Sequence, residues 1–125
     1  MRLLLDSHVV LWVMSWPERL RETTRRAIIS PRNEVFISAA SLWELNLKVA
    51  KGKLVLPDHF VESLAQQNFS ELPVRWDHTE AMLLLPAIHA DPFDRLLLAQ
   101  ARTDGLIFVT ADRLCHQYPV PLLEA

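Results

Sequence analysis

The chain has 125 residues, half of them hydrophobic, with 13 basic against 15 acidic side chains and a formal net charge of -2. This composition describes one domain, residues 1–125, able to bury its own core, and it excludes a general affinity for polyanions. Any nucleic-acid substrate must therefore be drawn by a local patch or a metal. The single cysteine, Cys115, cannot form an internal disulfide, and Cys115-His116 lacks the further ligands of a zinc site, so a reducing cytoplasm is the expected setting. The opening Leu3-Leu4-Leu5 is interrupted by Asp6 and His8 too early for a secretory leader, and no apolar run reaches membrane-spanning length.

In chain order, Leu3-Leu5 reads as a short buried strand, and Asp6-Ser7 starts a helix through His8-Val13. Pro17 suits the first turn of a second helix, Glu18 to Ile29, whose basic face carries Arg19, Arg21, Arg25 and Arg26. Val35-Ile37 is a second strand, and Ser41-Leu42-Trp43-Glu44 has capping-box spacing at the head of a helix ending near Ala50. After an extended connector, Leu54-Pro57, Asp58 caps a helix through Phe60, Val61, Leu64 and Ala65. Leu72-Pro73-Val74 reads as an edge strand because Pro73 cannot donate to a ladder, and Asp77 caps a helix from Thr79 to Leu85. Then Asp91 takes the N-cap position, Pro92 the first helical position and Asp94 the first turn of a helix that Gly105 closes. Ile107-Val109 is a further buried strand with Thr110-Ala111-Asp112 at its carboxyl end, and Val120-Leu123 adds a last short one.

Strands alternating with helices predict an α/β fold, a central parallel sheet with helices on both faces. Only two glycines occur, so neither a P-loop nor a dinucleotide fingerprint is available. What remains is carboxylate chemistry. Asp6 and Asp112 follow strands directly, Glu44 follows one by a turn, and Asp94 precedes another by one crossover helix. The fold can therefore gather all of them at the sheet edge where α/β proteins bind ligands. Each taken alone also suits a helix N-terminus, where capping and the dipole favour an acid. Gathered, they must take up protons or neutralise against a cation, and an oxygen-only set suits Mg²⁺ or Mn²⁺.

With these residues in view, the chain resembles the PIN-domain ribonucleases, and more narrowly the VapC-type toxins of type II toxin-antitoxin pairs. The likeness rests on Leu4-Leu5-Asp6-Ser7-His8, Ser38-Ala39-Ala40-Ser41-Leu42-Trp43-Glu44-Leu45, Gly52-Lys53-Leu54 with Leu56-Pro57, His89-Ala90-Asp91-Pro92-Phe93-Asp94-Arg95, and Thr110-Ala111-Asp112. It implies a PIN-like fold with Asp6, Glu44, Asp94 and Asp112 as the acidic quartet, Asp6 and Asp94 being the firmest metal ligands. It further implies Mg²⁺- or Mn²⁺-dependent endonucleolytic cleavage of RNA, a homodimer, and inhibition by a cognate antitoxin through which alone operator DNA is contacted.

Ser7 and Thr110 can hold a carboxylate or a metal-bound water, or merely cap. Arg95 can meet a substrate phosphate or pair with Asp91, and His89 reads foremost as a capping or structural residue. Trp12, Trp16, Trp43 and Trp76 can stack bases, but Trp12 and Trp43 lie in apolar helical patterns that point rather to core or partner contact, and the arginines of the second helix can guide RNA but read foremost as a solvated face. Two other readings stay open. One is an aspartyl-phosphate enzyme of the receiver or phosphatase kind, which also puts Asp after a first strand, although His8 stands where its second acid belongs. The other is a PIN-like module that binds protein without catalysis.

Overall fold

Leu3, Leu4 and Leu5 have no exposed surface, which requires a strand covered on both faces. In the computed structural model, which describes all 125 residues, this strand, β1 (Arg2–Leu5), is the centre of a five-stranded sheet. β2 (Glu34–Ser38), β3 (Ser70–Leu72), β4 (Ile107–Thr110) and β5 (Leu122–Glu124) complete it in the order β3-β2-β1-β4-β5. Every pairing is parallel, with Leu4 opposite Phe36 on one side and Phe108 on the other.

Successive strand residues point to opposite faces, and the core divides accordingly. Leu3 and Leu5 pack with residues of α1 (Ser7–Ser15), α2 (Glu22–Ile29), α3 (Ala39–Ala50) and α4 (Phe60–Gln66). Leu4 and Phe108 pack with α6 (Pro92–Asp104), and α5 (Trp76–Ala81) flanks that second layer. The expected α/β sheet with helices on both faces is thus present. No helix is long and apolar enough to cross a membrane.

Local departures have local causes. The helix expected over 18–29 is split: Pro17–Arg19 form a 3-10 turn and Leu20, extended and only 8% exposed, turns into the core before α2 begins. Burying that side chain outweighs one continuous turn of helix. Ser38, not Ser41, caps α3, its hydroxyl accepting the Ala40 amide at 3.0 Å. Asp58 caps nothing, because α4 starts after His59 in a left-handed conformation. Asp77 lies inside α5 rather than at its cap, and the helix passes into a 3-10 turn, Met82–Leu84. β3 precedes Pro73, as a residue without an amide proton requires, and β5 begins at Leu122. The Asp91 cap holds, accepting the Phe93 amide at 2.8 Å, and Gly105 closes α6 at φ 67°.

Leu4 fills the middle of the second core layer, so Leu4→Ala should cost roughly 2–5 kcal/mol through lost transfer energy and the cavity left behind. Val55→Ala, at a side chain 90% exposed, should stay within about 0.5 kcal/mol. Equilibrium urea denaturation of both variants checks the contrast.

Candidate active site

The chain leaves β1 and β4, the adjacent central strands, toward opposite sides of the sheet order, and the crevice between their carboxyl ends is the topological switch point. Asp6 follows β1 there and is 4% exposed. Its Oδ2 accepts the Thr110 hydroxyl from the end of β4 at 2.7 Å, while its Oδ1 is buried without any partner. Burial pushes the carboxyl above its ordinary pKa, against the lowering effect of the Thr110 bond.

Glu44 approaches from α3, and the Ser7 hydroxyl donates to its Oε1 at 2.5 Å. Asp94, on the first turn of α6, is pushed up to a pKa of about 7, first by burial and then by the charges of Asp6 and Asp91, with Glu44 adding to them. Asp112 accepts the Leu114 amide, and its own amide donates to the Thr110 hydroxyl. Burial pushes its carboxyl up, but the bonds from His89 and Leu114 outweigh this and leave it below its ordinary value.

His89 lies between two of the acids, its Nε2 2.6 Å from Asp112 Oδ2 and 3.1 Å from Asp94 Oδ2. The Asp91 amide donates to Nδ1 at 3.0 Å, so in the neutral ring Nε2 carries the proton and donates toward the acids. Burial opposes charge on this ring, yet the surrounding carboxylates Asp112, Asp94 and Asp91 raise its pKa. Cys115 is also near, with His89, Asp112 and Cys115 offering atoms within 4.8 Å of one another. Burial and then the acids push its thiol up to about 12.

Capping explains little of this cluster. Asp6 stands at the N-cap of α1 but makes no side-chain capping bond, Asp91 rather than Asp94 caps α6, and Glu44 lies in the middle of α3. Only Asp112 of these acids caps, over the 3-10 turn Arg113–Gln117. The orphaned Asp6 oxygen, in an all-oxygen donor set whose charges raise the pKa of Asp6 and Asp94, fits a hard divalent cation. The second cluster of this kind, Asp77, His78 and Asp104, is already tied together by Arg75, 2.6 Å from Asp104, and reads as structural.

The family model described as PIN domain matches residues 3–120. The chain belongs to the PIN domain family. A curated relative, Ribonuclease VapC22 of Mycobacterium tuberculosis, is 30% identical over 132 residues, covering 95% of both chains. Among solved structures, VapBC2 from Rickettsia felis bound to a DNA fragment from its promoter contains a chain with a TM-score of 0.73 and 14% identity, covering 99% of this chain and 98% of that one. FitAcB from Neisseria gonorrhoeae gives 0.60 and 21%, covering 97% and 96%. At these identities the structures speak for the fold. The receiver alternative fails on topology too, since its strand order is 2-1-3-4-5.

Of the PIN chain's supporting residues, Ser7 and Thr110 hold acids, as one of their two readings expected. Arg95 does not pair with Asp91: it donates to the Met82 carbonyl at 3.1 Å, and its Nε is buried without a partner. His89 exceeds the role read from its sequence, because only the fold brings it against Asp112. Trp43 leaves the core altogether, 60% exposed, its ring meeting Phe93 edge-on at 5.2 Å.

The raised acids fix the sign of a pH effect. Folded Asp94 keeps a proton where the unfolded chain has released it, so its contribution is full at low pH and is lost as the pH climbs from 3.8 through about 7, and the raised Asp6 acts in the same direction. In chelator-treated buffer, wild-type stability should fall between about pH 4 and about pH 7, and Asp94→Asn should flatten this slope and be the more stable protein at the upper end. Urea denaturation across that range reads both; an unchanged slope would refute the strained-acid account.

Proposed function

We propose that this PIN-domain protein is a Mg²⁺- or Mn²⁺-dependent endoribonuclease, the toxin of a type II toxin-antitoxin pair acting in the cytoplasm. The observation that carries the reading is the buried Asp6 carboxylate at the switch point, with one oxygen held by Thr110 and the other free of protein partners. A capping role would spend an oxygen on the first amides of α1, and Asp6 makes no such bond. The relative named as a ribonuclease supports the substrate class, and the VapBC-containing neighbours support a cognate antitoxin, with DNA reached only through it.

Asp6, Glu44, Asp94 and Asp112 would hold the metal, which when bound supplies an activated water and charge stabilisation at a phosphodiester. The chain's own contribution is orientation. Thr110 fixes the Asp6 carboxylate and, through the Asp112 amide, the start of the next turn. Ser7 fixes Glu44, which is suited to metal contact or to orienting the attacking water. His89 fixes Asp112 and Asp94 relative to each other and offers a proton at Nε2. A homodimer is part of the same reading.

Asp94→Asn removes a charge with little change of volume and should lower RNA cleavage in Mg²⁺ by about a hundredfold or more. Asp91→Asn, which touches only the cap, should be far milder. Rates at matched folded concentration test this, and equal losses would sink the distinction between ligand and cap. Sequencing RNA 5′ ends after brief induction in cells without the partner should show new ends with the wild type and none with Asp94→Asn.

Mg²⁺ should also stabilise the wild type by mass action, about 2.7 kcal/mol at a hundredfold its dissociation constant, and stabilise Asp94→Asn much less. Thermal denaturation with and without the ion measures the difference; equal responses would remove Asp94 from the metal site.

A further inference from the structure

A cavity of about 480 Å³ opens beside the acids, lined by Glu44, Lys48, Lys51, Lys53 and Phe93 among others. Glu44 and Lys48 share one side of α3 at helical spacing and Lys51 follows as its C-cap, so this side of the helix leads from the candidate site to positive charge. Lys53 follows at the end of the same segment. Trp43, on α3 beside Glu44, projects 60% exposed and is braced edge-on by Phe93, which itself lines the cavity. An indole left in water against a single supporting ring is poorly used by the core, but it offers a base a stacking surface.

The basic side chains at α2 and the turn before it are, by contrast, already engaged. Arg25 and Arg26 on α2 are paired with Glu22 at 2.9 and 3.1 Å, and Arg21 with Glu124 at 2.9 Å. Arg19 lies over the Trp16 ring. Lys51 and Lys53 make no ion pair, and Lys48 only a long one, 3.9 Å from Glu44. In a chain of net charge -2, free cations next to the acids meet the need for a local patch. Resting on the ribonuclease reading, we propose that Lys48, Lys51 and Lys53 track the phosphates flanking the scissile bond while Trp43, braced by Phe93, stacks an unpaired base. The substrate is therefore single-stranded where it is cut. A duplex keeps its bases stacked on one another and offers none to the indole.

The test uses full-length Asp94→Asn protein, so that RNA is bound without being cut, and a fluorescently labelled single-stranded RNA of about ten nucleotides, titrated over a range of salt. Lys51→Ala with Lys53→Ala should weaken binding and reduce the slope of log affinity against log salt by about 1.4, or roughly 0.7 per lost phosphate contact. Arg in place of both lysines should restore most of the slope. Trp43→Ala should weaken single-strand binding by roughly fivefold to a hundredfold with the slope unchanged, Trp43→Phe less, and a duplex of the same sequence should bind worse than the single strand. Trp43, Lys51 and Lys53 are exposed, and the half-buried Lys48 and Phe93 are left intact, so these substitutions do not put folding at stake.

An unchanged slope in the lysine variant, or an equal reduction from Arg25→Ala with Arg26→Ala, overturns the track. Loss of binding to a co-purified antitoxin with RNA binding untouched overturns it in favour of an acidic protein segment on the same lysines. In either case Mg²⁺-dependent cleavage by the otherwise unaltered wild type would leave the ribonuclease reading standing. Absence of both cleavage and RNA binding would remove the two together.

Discussion

The hydrogen bond from Thr110 to Asp6 is the constraint on which the rest of the molecule turns. It spans the two central strands at their carboxyl ends, and it forms only if β1 and β4 pair in parallel with Leu5 opposite Val109. A slip of one residue would reverse the faces of Leu3, Leu4 and Leu5 and break both core layers, so apolar packing locks the register that places two polar groups in contact. The hydrophobic core thereby does for the site what no loop could: it fixes a carboxylate at depth on a rigid element.

That placement opposes stability. Ionised carboxylates want water, and three of these acids lie at or below a tenth of their full exposure: Asp6 at 4%, Glu44 at 8% and Asp94 at 9%. The protein meets the cost with hydroxyl donors and with His89 rather than with lysine or arginine counterions, Lys48 standing 3.9 Å from Glu44 as the nearest approach to one. Hydroxyls orient a carboxylate without cancelling its charge, which preserves its attraction for a cation. A fully paired guanidinium would have neutralised that charge.

Much of this was legible beforehand because it follows local rules. Asp91-Pro92 announced a helix start and Gly105 its end, and acids placed just after strand-like runs marked the sheet edge in advance. What escaped was set by contacts distant in sequence. Ser38 supplanted Ser41 as cap because α3 begins directly from the last strand residue, and Leu20 broke a helix whose periodicity looked continuous because its side chain had a core to enter. Trp43 illustrates the limit best. An apolar residue in an apolar helix reads as buried, and only the packing of α6 reveals that Phe93 braces it from one side and leaves the rest in water.

The strand order has a consequence for the timing of synthesis. Asp6 is made long before Thr110, which lies 104 positions later on a strand that pairs directly with β1. At roughly 5–20 residues per second, several seconds separate the appearance of the first acid from that of the hydroxyl that orients it. Through that interval Leu3, Leu4 and Leu5 have a neighbour on the β2 side only, and Asp112 does not yet exist. A half-made chain therefore has no assembled cluster of acids, and whatever hydrolytic capacity the protein has arrives in one step, once β4 and the turn after it are in place, rather than growing with the nascent polypeptide.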